Sequence, residues 1–170
     1  MYDDQLIETL RQGAIRLLDE WGLDPQTSVE LLTISENATF LAKEPYTGRQ
    51  IVLRVHRPGY HTKQEIESEL AWIIALRREG IVETPEPLTV KGGRYLASFE
   101  IEGKQRFVGA FAFMTGVEPS LTEKLSIGFE QLGAISARLH HHVRSWKRPP
   151  SFMRKIWNFD TTVGLKPQWG

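Results

Sequence analysis

Apolar residues recur along this chain with two different periods, and the change from one to the other divides it. Leu6, Leu10, Ala14, Leu17 and Trp21 step by three and four, which predicts an amphipathic helix that starts near Asp3 or Asp4, stops at Gly22 and flanks whatever follows. The next stretch, VELLTISENATFLAKEPYTGRQIVLRVH, alternates apolar and polar positions between the breaks SEN and EPYTG, predicting three antiparallel strands. Helical spacing returns at HTKQEIESELAWIIALRREG, where Thr62 and Glu65 form a capping-box pair and Gly80 supplies a stop. Two or three further strands follow, turning at Gly92-Gly93 and at EGK, and a long helix carries Leu125, Phe129, Leu132, Ile135 and Leu139 on one stripe. The pattern predicts an α+β chain whose first 115 residues form a five-stranded antiparallel sheet with one helix inserted after the third strand.

Two charges interrupt these patterns. Alternation in QIVLRVH puts Ile51, Leu53 and Val55 on one face and Val52, Arg54 and His56 on the other. In the inserted helix the expected core stripe is Ile66, Leu70, Ile73 and Ile74, and Glu69 lies on or beside it. A carboxylate at a core edge costs several kcal/mol without a partner, and Arg54 is the cation the adjacent strand offers. Glu69 leaning out to solvent is the alternative that periodicity alone leaves open.

Composition narrows the function classes. The 170 residues are 41% hydrophobic, and Lys+Arg and Asp+Glu both number 21, so neither a nucleic-acid footprint nor an acidic tail is implied. There is no cysteine, hence no disulfide and no thiolate chemistry. No stretch approaches the roughly 18 apolar residues of a membrane span, and the first twenty residues lack a signal-peptide core, which predicts a cytoplasmic protein with no membrane partner. His140, His141 and His142 project about 100° apart on a helix and cannot converge on one ion, so a favourable charge at the helix C-terminus is the expectation.

The order strand, strand, strand with a base, helix with a glutamate, strands, helix resembles the N-terminal lobe of the protein-kinase-like fold. More narrowly, IVLRVHRP, ESELAWIIALRREGI, TPEPL and AISARLHHH are similar to the aminoglycoside phosphotransferase and homoserine/choline kinase family. The resemblance implies a nucleotide-binding lobe over residues 1–113 and, over 114–170, a hinge with the first helices of a C-lobe. It implies that Arg54 holds nucleotide phosphates and is held by Glu69, with ATP or GTP and Mg2+ as cofactors. It places the SEN turn over the phosphates, where Ser35 and Asn37 would donate, and puts Phe113 and Met114 at the adenine-binding hinge. The small-molecule acceptor would be an alcohol such as an aminoglycoside, homoserine or choline.

The same resemblance requires an H-x-D-x-x-x-x-N loop and a later magnesium-binding Asp, and neither occurs in these residues. The expectation is therefore a nucleotide portion with no catalytic residue and no metal ligand of its own, inactive alone, with bare apolar surface that favours self-association. A non-catalytic pseudokinase-like remnant or binding module is the alternative reading.

Overall fold

A computed structural model describes residues 3–116 and 125–165. Helix α1 (Asp4–Ile15) is capped by Asp3, whose carboxylate accepts from the Leu6 N–H at 2.8 Å. The helix ends at Ile15, six residues before Trp21, the last position of its apolar spacing. From Ala14 onward the bonds tighten to i→i−3, and a 3-10 turn over Leu18–Trp21 carries the chain to Gly22 at φ 65°. That turn still buries Leu18 and Trp21, so the stripe is apolar throughout although the helix is not continuous.

Strands β1 (Ser28–Ile34), β2 (Ala38–Lys43) and β3 (Gln50–Val55) form an antiparallel meander, and β3 pairs next with β6 (Lys104–Ala112). On its other side β6 takes both β5 (Leu96–Ile101) and a two-residue strand β4 (Pro87–Leu88), so the sheet has five full strands and one short one. The hairpin between β5 and β6 turns on Glu102 and Gly103, both at positive φ, the backbone that a two-residue turn joining right-twisted strands requires.

The sheet is covered on both faces. Ile51, Leu53 and Val55 of β3 pack with Phe40, Val108 and Leu10 of α1 into the main core, so α1 seals one face. Gly13 is where helix and sheet come closest: a Cβ there would lie 2.2 Å from the Phe99 ring. Helix α2 (Lys63–Arg78) covers the opposite face through Ile66 and Leu70, which meet Leu96 and Phe111. Ile73 joins this cluster, whereas Ile74 does not and Ala75 and Leu76 are buried in its place.

Helix α3 (Leu125–Ser145) and a short helix α4 (Phe159–Thr162) follow. The α3 stripe is largely uncovered: Phe129 is 68% exposed and Leu132 56%, and Trp157, Phe159 and Leu165 beyond it are also exposed. One α3 side chain is sealed, His142. Its Nδ1 accepts from Trp72 Nε1 at 3.2 Å and its Nε2 faces Glu79 Oε2 at 3.2 Å, so it joins α3 to α2. Trp72 Nε1 can only donate, so His142 is the acceptor in this contact between the two helices. Among the described residues no helix is long and apolar enough to cross a membrane.

Candidate functional site

Strand β3 lies between β2 and β6, with Arg54 opposite Thr39 and Gly109. Its side chain points to the α2 face, where the guanidinium lies 5.0 Å from the centroid of the Phe111 ring. The start of α2 is fixed by the capping box, with Glu65 Oε2 accepting from the Thr62 N–H at 2.8 Å and Thr62 Oγ1 accepting from the Glu65 N–H at 3.2 Å. Glu69 is one turn further along, so a helix started at Thr62 carries it to the sheet. Arg54 Nη1 donates to Glu69 Oε1 at 3.0 Å.

The second carboxylate oxygen is also taken. Arg154 Nη1, from the segment after α3, donates to Glu69 Oε2 at 3.3 Å. Gln64 Nε2 reaches the Ser151 carbonyl at 2.7 Å and Ser68 Oγ accepts from the Met153 N–H at 2.9 Å, which lays this segment along α2. Burial pushes the Glu69 carboxyl up, but the charges of Arg54 and Arg154 outweigh it and hold it below the usual carboxylate range. One anion thus sits between two guanidinium groups, and the cluster keeps a net positive charge.

Arg54 also lines a cavity of about 280 Å³ whose other walls are mostly apolar, among them Leu32, Val52, Ile73 and Phe111. Phe113 and Met114 share the same lining, so three of the six sequence-predicted residues line this cavity, and Glu69 is joined to it through its bond to Arg54. At the strand end the Phe113 N–H donates to the Gln50 carbonyl at 3.4 Å, and the Met114 N–H has no partner among the described residues. An apolar slot with one cation and an open backbone donor suits a flat heterocycle that carries negative charge on a tail.

The other two predicted residues lie elsewhere. The Ser35 N–H donates to the Asn37 carbonyl at 3.1 Å, closing the turn, and Asn37 Oδ1 accepts from the Arg57 N–H at 3.2 Å. Ser35 lines a separate hollow of about 390 Å³, together with Arg57, Lys104 and Arg106, so the turn does not share the Arg54 cavity in this structure. Among the described residues no group of three His, Cys, Asp or Glu side chains is placed to hold a metal.

Two contributors escaped the sequence reading. Arg154 sits in FMRKIW, where no periodicity tells which side chain turns inward, and its contact spans 85 positions. His56, beside Arg54, is sealed, and burial, aided by the Arg54 charge, depresses its pKa to about 4. Its place on the Arg54 face of the alternating run was the available signal.

A family model described as the phosphotransferase enzyme family matches residues 30–163. A microcompartment-associated aminopropanol kinase superposes with a TM-score of 0.81 at 36% identity, covering 92% of this chain and 48% of that one. The amicoumacin kinase hAmiN, in complex with AMP-PNP, Ca2+ and Ami, superposes with a TM-score of 0.72 at 18% identity, covering 92% of this chain and 45% of that one. The chain therefore spans about half the length of these two structures. No curated protein matches it.

Proposed function

Because the chain belongs to the phosphotransferase enzyme family, we propose that these residues bind the nucleotide from which a γ-phosphoryl group passes to the hydroxyl of a small molecule. The observation that carries this reading is a half-buried arginine, held by a helix carboxylate, that lines an otherwise apolar cavity. In this role the remaining Arg54 N–H groups take the α- and β-phosphate oxygens, as a planar fork does better than an ammonium. Glu69 fixes the fork's direction, so the site is ordered before nucleotide arrives. The Met114 N–H and a neighbouring backbone carbonyl take the edge of the base, with Leu32, Val52 and Phe111 against its faces.

Magnesium, when bound, would neutralise phosphate charge, and among the described residues no three His, Cys, Asp or Glu side chains are grouped to hold an ion. No step is assigned to it, and the transfer itself is assigned to none of these residues. The likeness to an aminopropanol kinase supports an amino alcohol, within the range of aminoglycoside, homoserine and choline, as the acceptor class.

Thermal melting of the full chain with Mg-ATP and with Mg-GTP tests the reading. At a ligand concentration 100 times Kd, stabilisation by about 2.7 kcal/mol is expected from mass action alone. A folded sample that neither nucleotide stabilises would contradict it.

A further inference from the structure

We propose that the hollow on the α1 face of the sheet is an anion site for a phosphate-bearing small molecule, separate from the Arg54 cavity and independent of the nucleotide reading. Its centre is Arg106. In β6 this residue alternates with Val108 and Ala110, which belong to the core under α1, so it points to the face opposite Arg54. It is only 9% exposed, its Nε is buried without an acceptor, and no carboxylate among the described residues forms an ion pair with it. A largely buried arginine whose Nε has no acceptor among the described residues favours an anion within its reach.

What surrounds Arg106 is more of the same charge. Lys104 and Arg57 line the hollow with it, and Glu36, the one acid there, is already bound to Arg57 Nη1 at 2.9 Å. Three cationic side chains and one carboxylate therefore line the hollow. Ser35 adds a hydroxyl, and Leu6 closes the α1 side. A phosphate monoester presents three acceptor oxygens and close to two negative charges, which matches several converging N–H donors better than a single carboxylate would. At about 390 Å³ the hollow accommodates a phosphate with a small organic group attached.

The position also matters. Ser35 and Glu36 form the turn between β1 and β2, so an anion here would tie that turn to β6 and to the loop after β3.

Melting of the full chain in inorganic phosphate, against potassium chloride of equal ionic strength, tests the assignment. Wild type and Arg54→Ala should both be stabilised by phosphate, whereas Arg106→Met should not be and Lys104→Gln should respond less. Phosphate stabilisation that survives Arg106→Met, that disappears in Arg54→Ala, or that is absent from wild type would overturn the proposal. Should Arg106→Met fail to fold, Lys104→Gln decides: a response equal to wild type overturns it.

Discussion

Arg54 of β3 and Glu69 of α2, fifteen positions apart in sequence, meet at 3.0 Å on the face of the sheet turned away from α1. Arg154 completes the arrangement by taking the other Glu69 oxygen, so one carboxylate orients two guanidinium groups that arrive from different parts of the chain. The consequences are electrostatic first and structural second.

Removing the anion should be worse than removing either cation. Glu69→Gln leaves two half-buried guanidinium groups facing each other, and with side chains 34% and 29% exposed for Arg54 and Glu69 the expected loss is about 1–2 kcal/mol. Urea unfolding of Glu69→Gln, Arg54→Met and the double variant should show a coupling of about 1 kcal/mol. Additive effects would mean that the ion pair contributes nothing to folding.

Acid should weaken the fold through His56. Its folded pKa of about 4 lies below the ordinary value of 6.5, so between those values the unfolded chain binds more protons. Its contribution is complete above pH 6.5 and falls as pH drops through the window, by up to ~1.4 kcal/mol per pH unit. His61, also lowered by burial and then by Lys155, acts in the same direction. Stability measured from pH 7 to pH 4 should decline less steeply in His56→Gln, and an unchanged slope would contradict the assignment.

Gly13→Ala pits two effects against each other. Alanine favours a helix by up to about 1 kcal/mol over glycine, but its Cβ would meet the Phe99 ring at 2.2 Å. The clash should win, with a net loss of about 1–2 kcal/mol in chemical denaturation. Pairing it with Phe99→Leu should recover part of that loss.

The α2–α3 link makes a different demand. His142→Ala leaves the Trp72 N–H without its acceptor, at a cost of about 1–3 kcal/mol, while His142→Asn keeps an acceptor near the Nδ1 position and should lose less. Near-ultraviolet melting of the two variants separates these outcomes. Equal losses would show that ring packing rather than the hydrogen bond matters.

How much of this was legible in the sequence follows from the range of each signal. The antiparallel meander and the capping box at Thr62 rest on periods of two and 3.6 residues and local spacing, which a linear reading detects, whereas those periods offered Arg54 to Glu69 but left a solvent-facing Glu69 open until the family resemblance was added. The break in α1 after Ile15 was not visible, because a 3-10 turn keeps nearly the same apolar spacing. Arg154 and Arg106 were invisible for another reason. The first is delivered by a segment with no period, and the second sits at the end of an ordinary alternating strand, where only the absence of a facing acid makes it unusual. Ser35 and Asn37 read as a turn and are one, but the twist of the sheet sets which cavity that turn overlooks.

The central claim is that Arg54 recognises the phosphates of a nucleotide whose base lies in the cavity beside it. Calorimetric titration of adenosine and of Mg-ATP into wild type and Arg54→Ala tests it most directly. Loss of Arg54 should weaken Mg-ATP by about 10- to 100-fold, the size of one or two charge-assisted hydrogen bonds, and leave adenosine within about twofold. Equal weakening of both ligands, or unchanged Mg-ATP affinity, would contradict the account.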